Sequence, residues 1–309
     1  MSRGNVHFNY TSSRQDSRPA CVIFRYSVNV ADWEILIGES TMADNFETGE
    51  TGITETDRTS AQPEVREIGA EEVMDALAKG IKDFNAKPSH MIFLGLIYPV
   101  VAILAARLAF GYDILPLLFP LVAGFALVGP LAATGLYELS RRREKGLEVR
   151  WAHMFDVFKS PSIKGIATIG VILTAIFVAW LGTAQFIYDQ LFDGRTPASI
   201  AAFAHQVFMT DEGRRLMLIG TGAGWVFAML VLATSVISIP LLLDRDVGAL
   251  TAIRTSVRAM RKNPKSMTLW GIIVAASLFL GMLPAFVGLA VVVPVLGHAT
   301  WHLYRKLVV

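Results

Sequence analysis

The stretch from Phe93 to Arg143 constrains this chain more than any other. Two long apolar runs are separated by a short break at Gly111–Ile114 and closed by Arg141, Arg142 and Arg143. A helix of roughly 20 apolar residues crosses the ~30 Å hydrocarbon layer of a bilayer. The pair therefore reads as a transmembrane hairpin with its basic end in the cytoplasm. The surrounding composition agrees. Only 17% of the 309 residues are charged, against about 25% in soluble domains, and the deficit lies downstream of His90.

The same criterion predicts an all-α polytopic membrane protein of about six transmembrane helices. They fall near 91–110, 115–139, 163–188, 215–243, 266–283 and 284–303. The connection 140–164 carries Arg141, Arg142, Arg143, Lys145, Arg150, Lys159 and Lys164. The connection 244–265 carries Arg245, Arg254, Arg258, Arg261, Lys262 and Lys265, and the C-terminus has Arg305 and Lys306. The positive-inside rule then puts both termini in the cytoplasm. The longer, mixed third connection, which contains a short helix at 197–208, lies outside.

Residues 1–64 read differently. Residues 43–63 are acidic, rich in Thr, Glu and Gly, and read as disordered. Met42 begins a stretch that looks like an ordinary chain start, so 1–41 are expected to be an over-long gene prediction. Order is expected from about residue 65, giving one membrane domain over 65–309. Ile68, Val73, Leu77, Ile81 and Phe84 recur at helical spacing, with acids early and lysines late. This pattern predicts an amphipathic helix on the cytoplasmic face that ends before Pro88.

The first and last hairpins repeat one another. Pro120 and Pro130 align with Pro284 and Pro294, Gly124 with Gly288, Tyr137 with Trp301, and Arg141 with Arg305. Upstream, 76–87 before Pro88 aligns with 252–263 before Pro264, and a weaker third copy is 154–160 before Pro161. The unit is an amphipathic helix, a proline, then a transmembrane hairpin. The copies share one orientation, unlike the inverted repeats of many transporters.

At these residues the chain resembles a known family. PSHMIFLGLIYP, FPLVAGFALVGPLAATGLYELSRRRE, PLLLDRDVG, TSVRAMRKNP and FVGLAVVVPVLGHATWHLYRK are similar to a bacterial family of predicted integral membrane proteins, domain of unknown function 2189 (DUF2189). The resemblance covers roughly 65–306. It implies a multi-helix inner-membrane protein of a bacterium and brings no catalytic residue with it.

Candidate sites are few. Arg254, Arg258, Arg261, Lys262 and Lys265 border an apolar stripe of Val247, Leu250, Ile253, Val257 and Met260. That geometry suits a helix on anionic lipid headgroups, or on a partner protein. Glu138, Asp244, Arg245, Asp246 and His302 are expected at one depth on the cytoplasmic face, as a polar cluster or as helix stops. His298 and His302 are four residues apart, a spacing that can hold a metal or lie near a haem. Two histidines are too few for a closed site, so no metal and no cofactor is expected, and His298 is read as bonding across the bundle. Arg107, near the outer end of its span, is expected to snorkel outward or to meet Asp113 or Asp189. The single Cys21 allows no intramolecular disulfide. Gly220, Gly222 and Gly224 follow no strand and read as helix packing, not as a nucleotide loop.

No nucleophile elbow, phosphate-loop lysine or Glu–His metal motif occurs, and the net charge of +2 gives no nucleic-acid signature. Two functions remain: a non-enzymatic membrane scaffold or complex-assembly protein, with a membrane-protein partner or a second copy, and a transporter or channel for a small solute or lipid. A haem- or metal-binding respiratory-type subunit using His298 and His302 is a distant third.

Overall fold

A computed structural model describes residues 63–309, except positions 111, 112, 126 and 128 and the side chains of 90, 91, 102, 105, 106, 108–110 and 125. The described part lies within one compact unit, Ile53–Val309. The readings made for 1–62, including a start at Met42, fall outside the described residues.

Helix α1 spans Ala70–Ala86 and buries Val73, Ala76, Gly80, Asp83 and Phe84. The spacing of three and four residues puts these on one side. Glu71 and Glu72 sit in its positive first turn, and the Glu72 carboxylate accepts the Gly69 N–H at 2.8 Å. The chain leaves at Lys87, before Pro88.

Helices α2 (His90–Phe110), α3 (Leu115–Phe125), α4 (Gly129–Ala132) and α5 (Thr134–Glu144) form the first expected hairpin. Its second arm is not one helix: among the described residues it is interrupted at Ala133, between α4 and α5. After a 3₁₀ segment, Trp151–Lys159, comes α6, Ile163–Phe192. Helix α7 (Ile200–Met209) is capped by Ser199, whose hydroxyl accepts the Ala202 N–H at 3.0 Å. Then follow α8 (Asp211–Ser235), α9 (Ser238–Asp244), α10 (Ala249–Lys262), α11 (Pro264–Met282) and α12 (Leu289–Leu307).

Helices therefore stand where each span is expected. Among the described residues, three stretches are long and apolar enough to cross a membrane: Ile163–Phe192, Asp211–Asp244 and Pro264–Met282. The apolar runs Ile92–Val101 and Leu115–Gly124 are shorter. Helix α12 carries His298, His302, Arg305 and Lys306 along its second half. Pro88, Pro161 and Pro264 each separate a short helical segment from a long apolar helix.

The core is apolar and runs through α5, α6, α8, α9, α11 and α12. It includes Leu136, Ile169, Leu173, Trp180, Ile237, Leu241, Met267, Trp270 and Trp301. The Trp180 indole donates to the Pro120 carbonyl at 2.9 Å. Helix α1 lies along α12 rather than flat on its own. Gly80 permits this, since a Cβ there would sit 2.6 Å from the Ala299 backbone nitrogen. The buried face of α1 is thus rotated from the apolar stripe toward Ala76, Gly80 and Asp83, and Ile81 is left exposed. The segment before α1 is sewn down by side chains of α10 and α11. Asn263 Oδ1 accepts the Ile68 N–H at 2.8 Å, and its Nδ2 donates to the Arg66 carbonyl at 2.9 Å. Val65 forms an antiparallel bridge with Val308.

Candidate functional site

The end of α1, the end of α5 and the middle of α12 meet in a buried polar cluster. Asp83 accepts the Ser140 hydroxyl at 2.6 Å on Oδ2, and His302 Nε2 lies 2.9 Å from the same oxygen. Arg143 Nε faces Asp83 Oδ1 at 3.2 Å. Burial pushes the Asp83 carboxyl up, but the hydrogen bonds from His302 and Ser140 and the charges of the two histidines outweigh it and hold it below the ordinary aspartate range.

Ser140 Oγ also lies 2.8 Å from His298 Nδ1. A hydroxyl has one proton, and an ionised carboxylate can only accept, so Ser140 gives its proton to Asp83 and accepts Nδ1–H from His298. The network thereby assigns the tautomer and leaves Nε2 of the neutral ring as a bare acceptor. The Leu136 carbonyl, one turn before Ser140, also lies by the ring and favours an N–H on it. His298 is 2% exposed, and its Nε2 has no hydrogen-bond partner.

A second cluster joins the ends of α5, α9 and α12. The Tyr304 hydroxyl donates to Asp244 Oδ2 at 2.9 Å, and Arg305 Nη1 reaches the same oxygen at 3.2 Å. Lys145 lies 3.6 Å from Asp244 Oδ1. Glu144 accepts from the Trp301 indole at 2.8 Å and from Arg305 Nε at 3.0 Å. Burial and the neighbouring Asp244 carboxylate push the Tyr304 hydroxyl up.

The residues expected to share one polar cluster are distributed over separate contacts. Glu138 is 3% exposed and takes a two-pronged bond from Arg141, at 2.7 and 2.9 Å. Asp244 joins Tyr304, and His302 joins Asp83. Arg245 donates to the Val309 carbonyl at 2.9 Å, and Asp246 accepts the Ser162 hydroxyl at 3.2 Å. Arg107 pairs with Asp113 at 3.0 Å. Of the three glycines at 220–224, only Gly224 packs closely, against Trp180.

On α10 the buried residues are Ala252, Thr255, Ser256 and Ala259. Arg254, Arg261, Lys262 and Lys265 are exposed, and a groove runs along Ile253, Arg254, Val257, Arg258, Arg261 and Lys262. Arg258 reaches the Pro63 carbonyl at 3.4 Å, and Lys262 donates to the Val65 carbonyl at 2.9 Å. Among the described residues no group of three or more His, Cys, Asp or Glu is placed to hold a metal ion. His298 and His302 turn to different partners.

Asp83 and Ser140 are the site residues that sequence reasoning missed. Their signal is a polar residue on an otherwise small-residue face: Asp83 continues the Ala76–Gly80 side of α1. No curated protein and no solved structure matches the chain. Residues 118–244, from α3 through the end of α9, match the family model described as a predicted integral membrane protein (DUF2189).

Proposed function

We propose that the protein is a non-enzymatic scaffold of a bacterial inner membrane, holding or stabilising a membrane-protein complex. In this reading it crosses the bilayer about six times with both termini in the cytoplasm. The observation that carries it is the distribution of apolar side chains. Ile169, Leu173, Trp180 and Phe227 fill the interior between α6 and α8, while Val171, Phe186, Leu218, Trp225 and Phe279 point outward. Only 22% of the most apolar window of α6, and likewise of α11, is buried. A filled interior with a wide apolar exterior suits lipid and partner contact better than passage of a solute.

The α10 surface supplies the second half of the reading. Its small residues face the bundle, which leaves the Ile253–Val257 side and the basic stripe for the cytoplasmic leaflet. Each Lys or Arg near an anionic surface contributes about 1 kcal/mol. The proposed contacts are anionic headgroups at Arg254, Arg258, Arg261, Lys262 and Lys265, together with a membrane-protein partner or a second copy of the chain.

Affinity purification of the tagged full chain from native membranes, with mass spectrometry of proteins, lipids and metals, tests this. A stoichiometric membrane-protein partner is expected. A chain that purifies alone, and whose proteoliposomes conduct a solute, would replace the scaffold with the transport reading.

A further inference from the structure

A cavity of about 210 Å³ opens beside the Asp83–Ser140–His298 cluster. Its walls include Lys87 at the end of α1, Ser140 and Arg143 on α5, Val149, and His298 on α12. Two of its features call for a ligand of one kind. The first is positive charge. Arg143 uses its Nε on Asp83 and has four further N–H donors, and Lys87 adds an ammonium. Asp83 lies in the same wall and would by itself repel an anion. Its oxygens, however, are taken up by Ser140, His302 and Arg143, so its charge is already compensated.

The second feature is the bare Nε2 of His298. A buried acceptor without a partner is destabilising, and here the network prevents the ring from simply switching tautomer, because Nδ1–H is committed to Ser140. The complement of an imidazole lone pair beside two cations is an oxyanion that still carries a proton. A phosphate monoester below its second ionisation, which lies near pH 6, is such a group. A phosphate diester has the charge but no O–H to give.

We propose that this cleft binds a phosphate monoester group, with Arg143 and Lys87 taking its charged oxygens and His298 accepting its remaining O–H. The group is either inorganic phosphate or the head of a monoester lipid such as phosphatidic acid. The site is distinct from the α10 stripe, which needs only negative charge.

The test uses the full chain in phosphatidylcholine nanodiscs at about pH 5.5, where a phosphate monoester keeps its remaining proton. Phosphatidic acid is compared with phosphatidylmethanol, a diester of similar charge and no other donor, by native mass spectrometry of retained lipid. Inorganic phosphate is titrated separately by calorimetry. Phosphatidic acid is expected to bind about tenfold or more tightly than phosphatidylmethanol, as one charge-assisted hydrogen bond distinguishes them. His298→Asn keeps an amide donor toward Ser140 and removes Nε2, so it should abolish that preference while leaving the unfolding temperature of the lipid-free protein nearly unchanged. Lys87→Gln should weaken the monoester several-fold, and it keeps the test intact should Arg143→Gln fail to fold. Binding of phosphatidic acid without inorganic phosphate identifies the lipid as source; tight binding of both identifies free phosphate. Equal retention of the monoester and diester lipids with no phosphate binding overturns the proposal, as does a preference that survives both His298→Asn and Lys87→Gln.

Discussion

Asp83 is held in its charged form although burial opposes it, and that balance makes an acid-dependent prediction. A carboxyl whose folded value lies below its ordinary one stabilises the fold above pH ~4 and loses that contribution as pH falls through the folded value. Unfolding of the purified protein should therefore be insensitive to this group from neutral pH down to about pH 5, then weaken below about pH 4. Asp83→Asn should lower stability at pH 7 by about 1–3 kcal/mol and flatten the acid limb. An acid limb identical to wild type would mean that other carboxylates carry it. Asp75 is the control: hydrogen bonds from Lys306 and Lys79 hold its carboxyl at about 2, but all three groups are solvent-accessible, so Asp75→Asn should cost little. Asn263 makes a second residue-scale prediction. One amide serves the Ile68 N–H and the Arg66 and Ala259 carbonyls. Asn263→Ala leaves the Ile68 N–H and the Arg66 carbonyl without that partner and should raise hydrogen exchange across 64–69 by about tenfold or more. Unchanged exchange there would mean that the Val65–Val308 bridge alone holds the segment.

Among the elements, α1 and α12 depend on one another through Gly80. Alanine favours a helix over glycine by about 1 kcal/mol, so Gly80→Ala would stabilise an isolated α1. In the protein the new methyl meets Ala299 backbone atoms, which cannot rotate aside as a side-chain tip would. The steric effect should win, and Gly80→Ala should increase proteolysis and hydrogen exchange across 70–86. A more protected α1 would refute the close packing. Helices α5 and α12 show a related fit. A Cβ on Gly297 would lie 3.3 Å from that of Ala133. For α10, reversing Arg254, Arg258 and Arg261 to Glu in the full chain should reduce its retention of anionic lipid over neutral lipid. The effect should be largest at low salt, because exposed charges are screened within about 10 Å at 0.1 M. Retention that ignores both reversal and salt would leave the partner reading of that helix.

For the whole molecule, the testable quantity is sidedness. Lys145 lies in a strongly basic connection and Ala198 in the mixed one. Cysteine placed at Ala198 should react with an impermeant reagent from outside intact cells, in a Cys21→Ser background, whereas cysteine at Lys145 should react only after permeabilisation. The opposite result inverts the topology. Three described stretches have the length and apolarity of spans. Accessibility at positions flanking His90–Phe110 and Leu289–Leu307 decides whether those helices cross as well.

Sequence alone determined the helical class, the positions of most helices and the proline boundaries, and it offered Asp113 as one of the places Arg107 could go. Each of these depends on local composition, periodicity, or a partner a few residues away, and such terms hold whatever else the chain does. Only the tertiary structure decided which face of α1 is buried, that Asp83 rather than a neighbouring acid receives His302, and that Glu138 and Asp244 go to different partners. Apart from Glu138, whose partner Arg141 is three residues away, those outcomes rest on contacts spanning 57 to 219 residues, such as Ser140 to Asp83 and His302 to Asp83. They follow from how closely Gly80 lets two helices approach, and no periodicity within either helix records that distance.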